Sequence, residues 1–158
     1  MINSSFAGSI LLPGVSKIDV ERWDDKHGND WLRARHDGYV ESFGYTHERE
    51  IALSAAGDKI KGCDRLIPEE GQGKDSLTAI VRFHIHPAIN LFRRDGESIV
   101  LGAPDGETWI FAVPGLHVLI DEDVFFADVS GIRPSQQLAI EVPVQGLREI
   151  RWMLRRSE

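Results

Sequence analysis

Ser135-Gln136-Gln137-Leu138-Ala139-Ile140-Glu141-Val142 repeats with a period of two. Successive side chains of an extended chain point to opposite faces. Gln136, Leu138, Ile140 and Val142 therefore share one side, and Ser135, Gln137, Ala139 and Glu141 the other. One side packs and the other meets water. The chain's end repeats the device, with Ile150, Trp152 and Leu154 on one face against Arg151, Met153 and Arg155.

Working outward, short runs rich in Val, Ile, Phe and Trp recur between Gly, Asp and Pro punctuation, which predicts strands. They fall at 17–23, 30–36, 47–54, 59–66, 77–86, 97–102, 107–113, 116–121, 124–128, 135–142 and 148–155. Asp95-Gly96 and Asp105-Gly106 supply the positive φ of hairpin turns, and Ala56-Gly57-Asp58 marks a further turn. Pro68 to Ser76 reads as a loop, and no segment carries a helical stripe. Many strands with one apolar face each are satisfied by two packed sheets. The expected fold is all-β, an antiparallel two-sheet β-sandwich of roughly ten to twelve strands in a single domain over 1–158.

A chain of 158 residues with 42% hydrophobic and 27% charged residues buries a core without disulfides. The single cysteine, Cys63, excludes an intrachain disulfide and a Cys-rich zinc site, and reads as a small strand residue. A net charge of −7 argues against nucleic acid and anionic membrane as partners. Ile10-Leu11-Leu12-Pro13 is too short for a membrane span, and no signal-peptide pattern is present, which leaves the compartment open between periplasm and cytoplasm. There is no phosphate-binding Gly-rich loop, no Gly-X-Ser-X-Gly elbow and no paired-cysteine motif.

Several residue types invite chemistry. His36 closes a strand before Asp37-Gly38 and reads either as a half-buried ring bonded to backbone or as a metal ligand at a strand end. Arg82, His84 and His86 share one face of their strand, as structural or substrate-facing groups. A His-X-His pair also occurs at cupin metal sites, but the further glutamate and histidine of that arrangement are missing here. His47 and Arg49 lie on one face with Ile51 and Leu53, and read as an internal hydrogen-bonded pair or as part of a carboxylate-recognising surface. Tyr39 and Tyr45 read as packing and loop residues. Trp23, Trp31, Trp109 and Trp152 read as core or as a sugar-stacking platform.

The order of Arg35-His36-Asp37-Gly38-Tyr39, Phe43-Gly44, His47-Glu48-Arg49, Arg82-Phe83-His84-Ile85-His86-Pro87, Arg133-Pro134, Gln136-Gln137-Leu138 and Ile150-Arg151-Trp152-Met153-Leu154 resembles the C-terminal β-sandwich of heparinase II/III-like polysaccharide lyases. The resemblance implies cleavage of uronic-acid-containing polysaccharide by β-elimination, with the sandwich forming one wall of the cleft and a helical toroid the other. It implies zinc as cofactor, with His36 at the position of the later histidine ligand and the earlier partner before Met1. The chain would begin, near Asn3-Ser4-Ser5, just after the family's His-Asn-Thr-like catalytic segment, so no catalytic residue is carried onto this chain. Arg82, His84 and His86 are its candidate substrate-binding residues, and the surface that docks the toroid is a candidate for self-association. The alternatives are a non-catalytic carbohydrate-binding module and a cupin-like metalloprotein.

Overall fold

In the computed structural model, the alternation becomes strand pairing. The structure describes all residues except 1, 6–7, 12–14, 72, 74–75, 95–97, 127–128, 130, 145–148 and 158, and the backbone alone of 2–5 and 8–11. In chain order the strands are β1 (Ile2–Ser5), β2 (Gly8–Leu11), β3 (Ile18–Asp24), β4 (Asp30–Tyr39), β5 (Tyr45–Leu53), β6 (Lys59–Pro68) and β7 (Thr78–Ile85). They continue with β8 (Asn90–Arg93), β9 (Ile99–Gly102), β10 (Thr108–Ala112), β11 (Leu119–Phe125), β12 (Arg133–Pro143) and β13 (Glu149–Arg156). A one-turn helix, α1 (Val40–Phe43), links β4 to β5 and stops at Gly44, whose φ of 79° is the left-handed conformation glycine adopts without a steric penalty.

An antiparallel sheet of eight strands, ordered β3-β4-β5-β6-β13-β10-β9-β8, faces a sheet of three, ordered β11-β12-β7, and β1 pairs with β2. The fold is the expected all-β sandwich. Leu138, Ile140 and Val142 of β12 point inward against Ile99 and Phe111 of the larger sheet and Val113 just past β10, and Ile150 and Trp152 of β13 join the same core. The alternation at 135–142 thus reports which face of β12 is buried. Phe83 of β7 packs edge-on against Phe111 and Trp152, with ring centroids 4.9 Å away in each case. Trp152 lies flat over Gly62 of β6: a Cβ at Gly62 would fall 2.0 Å from the indole, so this strand position has no room for a side chain.

Most of the expected strands are present, with three differences. The segments read as 116–121 and 124–128 form one strand, β11, because Val113 to Leu116 makes the preceding turn and the chain then pairs with β12 from Leu119 to Phe125. The sequence carries no sign of the short β8, whose four residues are mostly exposed and which is defined by pairing with β9. Nor does it show the β1–β2 hairpin. Gly106 and Gly57 adopt positive φ in the expected turns, whereas Asp95-Gly96 lies outside the described residues. Among the described residues no helix is long and apolar enough to cross a membrane.

Candidate functional site

Eight strands opposed by three leave part of the larger sheet's inner surface uncovered. The smaller sheet ends at β7, and beyond it β3, β4 and β5 turn their inner side outward, with Ile18 67% and Val20 60% exposed. Between the edge of β7 and this bare surface runs a cleft of about 430 Å³, lined by Tyr39, Tyr45, His47, Arg49, Asp64 and the Thr78–Arg82 segment.

Register builds the floor of the cleft. His36 on β4 is directly opposite His47 on β5, and Arg49 on β5 is directly opposite Asp64 on β6. Asp64, only 3% exposed, is the anchor. It accepts hydrogen bonds from His47 Nε2 at 2.8 Å, Arg49 Nε at 2.7 Å and Trp152 Nε1 at 2.8 Å. Burial by itself pushes the Asp64 carboxyl upward, but the His47, Arg49 and Trp152 donors outweigh it and hold the group below the usual carboxylate range. The Arg49 guanidinium is held in turn over the rings of Phe83 and Trp152, 5.5 and 5.9 Å from their centroids.

The proton positions follow from one backbone group. The β4–β5 register shifts between His36 and Tyr39, and there the Gly38 N–H donates to His36 Nδ1 at 3.2 Å. A neutral His36 then carries its proton on Nε2, which faces His47 Nδ1 at 3.1 Å. His47 carries its own on Nε2, toward Asp64. The row Gly38, His36, His47, Asp64 is a chain of donors all pointing one way. An added proton would set two N–H groups against each other, either between the rings or at Gly38. Burial, and then the neighbouring His47, depress the His36 pKa accordingly. The row is a saturated, oriented wall. Tyr39 lies against it, its ring 5.3 Å from His36 and 6.2 Å from His47.

The other sequence candidates are dispersed. Arg82 borders the cleft and approaches Asp121 at 3.7 Å. His84 and His86 project from the outer side of the smaller sheet, opposite the core-facing Phe83 and Ile85. His84 Nδ1 lies 2.6 Å from Asp123 Oδ2, while His86 Nδ1 accepts the Ala88 N–H at 3.2 Å and its ring packs on Phe125. The two histidines are thus committed to separate partners. His47 and Arg49 are the internally bonded pair, and their shared acceptor Asp64 was not picked out from the sequence, since it is distant in the chain and meets them only through strand register.

A zinc at His36 needs a free ring nitrogen there. Both of its nitrogens are engaged, and among the described residues no group of three or more His, Cys, Asp or Glu is arranged to hold a metal. By themselves these residues do not make up a zinc site.

Comparison with known proteins places this geometry. Residues 3–153 match the family model described as heparinase II/III-like, C-terminal. The FtsZ-localized protein C of Caulobacter vibrioides is 32% identical over 160 residues, an alignment covering 96% of this chain and 27% of that protein. The chain thus spans about a quarter of the length of the curated relative it matches. The heparan sulfate lyase HepC of Pedobacter heparinus superposes with a TM-score of 0.71 at 14% identity, over 90% of this chain and 22% of that one. A heparinase III gives 0.65 at 9% identity, over 89% and 22%. These two structures share the fold; the family model, which matches nearly the whole chain, carries the assignment. The chain belongs to the heparinase II/III-like family and corresponds to its C-terminal domain.

Proposed function

We propose that this chain forms the sandwich-side wall of the substrate cleft in a polysaccharide lyase that cleaves uronic-acid-containing polymers by β-elimination, and that it does not complete the reaction alone. The observation that carries this reading is the open cleft over β4, β5 and β6, with an oriented imidazole row on its floor and Arg49 and Arg82 among its lining residues. β-Elimination needs the uronate carboxylate neutralised so that the adjacent C–H becomes acidic, together with a base and a donor to the leaving oxygen. Arg82 at the cleft's border is a cation suited to the first task, whereas Arg49 is paired with Asp64. Tyr39 and His47 line the wall, His36 is bonded to His47, and both imidazoles are too fully bonded to act as a free base. A helical toroid would supply the opposite wall and the remaining groups.

In a second reading the same cleft binds glycan without turnover, as a carbohydrate-binding module.

The test is an elimination assay on heparan, chondroitin, alginate and other uronate polymers, following the absorbance of unsaturated products. The chain alone gives no product; the chain combined with a family toroid domain gives product that falls at least tenfold on Arg82→Ala. Binding without product in both arrangements would establish the second reading.

A further inference from the structure

Five successive residues of β7, Thr78 to Arg82, line the cleft. Ala79 and Val81 pack toward the core, so Ile80 and Arg82 belong to the opposite face of the strand. A strand that borders one space with both sets of side chains meets it edge-on. β7 is also the last strand of the smaller sheet, and among the described residues no strand pairs with its other edge. Such an edge presents the amide and carbonyl groups of alternate residues, about 7 Å apart along the strand. These are neutral donors and acceptors, suited to the hydroxyl groups of a sugar chain.

The rest of the lining is apolar or aromatic. Tyr39 at the end of β4 and Phe43 at the end of α1 both line the cleft, are 44% and 39% exposed, and lie with ring centroids 6.3 Å apart. Leu66, Leu77, Val144 and Ile150 continue the apolar surface. Aromatic surface of this kind packs against the C–H face of a pyranose ring.

Charge is scarce by comparison. The described lining carries two permanent cations, Arg49 and Arg82. Arg49 is committed to the buried Asp64 at 2.7 Å, so the floor is neutral as a pair. Arg82 is half in water, with the Asp121 carboxylate 3.7 Å away. One anionic group can settle on Arg82. A second finds no further cation and meets the negative charge of Asp121, on a chain of net charge −7.

We propose that the cleft selects uronate chains of low charge density, with a uronate carboxylate on Arg82, hydroxyl groups on the free edge of β7 and a ring face against Tyr39 and Phe43, and that Asp121 disfavours sulfated chains. This rests on the reading of the cleft as a glycan wall and adds the class of polymer it takes.

The test uses three tetrasaccharides of one glucuronic acid and N-acetylglucosamine backbone, unsulfated, sulfated and carboxyl-reduced, titrated at physiological ionic strength while the His36 and His47 imidazole signals are followed by NMR. The unsulfated acid is expected to bind at least tenfold more tightly than either of the others. Arg82→Ala abolishes its advantage over the carboxyl-reduced sugar without weakening that sugar, and Asp121→Asn improves binding of the sulfated form at least threefold. Equal or tighter binding of the sulfated form to the unaltered chain, or an advantage of the acid that survives Arg82→Ala, overturns the inference and leaves the glycan wall standing. Imidazole signals that stay fixed with all three sugars overturn both.

Discussion

Asp64 is the residue on which the cleft floor depends. Replacing it with Ala strands the buried Trp152 N–H and removes the acceptor of His47 and Arg49, which reach water in the cleft, and destabilises the fold by about 2–4 kcal/mol. Trp152→Phe keeps the aromatic packing and removes one donor, with an expected loss of about 1–2 kcal/mol. Urea denaturation of the two variants measures both, and an Asp64→Ala loss no larger than that of Trp152→Phe would mean that the carboxylate is not the common anchor. Gly62 makes a separate prediction. The indole above it is rigid and closely packed, so Gly62→Ala forces a shift of ring or strand and costs about 1–3 kcal/mol. Neither feature is legible in the sequence. His36, His47 and Asp64 are dispersed along the chain, and only the strand registers set them side by side. What sequence does reveal is the type of each residue and the face it occupies, which is why it places His47 and Arg49 together but gives no sign of their acceptor.

At the scale of the strand, period and register have different legibility. The alternation at Ser135 to Val142 and at Ile150 to Leu154 is written in single segments, so β12 and β13 follow from the chain directly. β8 has four residues and acquires its place from its partner β9, which leaves no local signal. The row of alternating charge Asp19, Arg35, Glu48, Arg65 and Glu149 across β3, β4, β5, β6 and β13 is likewise a product of register. Its centre is Glu48, 4% exposed, paired with Arg35 at 2.6 Å and Arg65 at 2.9 Å. Burial opposes ionisation of Glu48, but the two arginines prevail and hold its pKa below the usual range. Glu48→Gln is expected to cost about 1–2 kcal/mol, since Arg35 is half in water and screens its share. Thermal melts at low and high salt check this: the loss should shrink only slightly in high salt, because a buried carboxylate is screened weakly.

For the whole molecule, these groups set the acid limit of stability. Asp64 and Glu48 have folded pKa values below their unfolded ones, so their contribution is complete above about pH 4 and is lost as pH falls through the folded values. His36 is also depressed, which means the fold prefers its neutral ring. That contribution is complete above about pH 6.5 and is lost as pH falls through its lower folded value. Denaturation free energy followed against pH should therefore decline in two stages. The first should vanish in His36→Gln, and the second should remain. The uncovered inner face of β3, with Ile18 and Val20, predicts concentration-dependent self-association, measurable by light scattering and reduced by Val20→Lys.

The claim that this domain is one wall of a uronate cleft is tested most directly by adding uronate oligosaccharides to the chain while recording the imidazole signals of His36 and His47 together with the absorbance of unsaturated products. The account predicts saturable shifts of both imidazoles with no absorbance change. Imidazole signals that stay fixed for every oligosaccharide tested, or turnover by the chain alone, would contradict it.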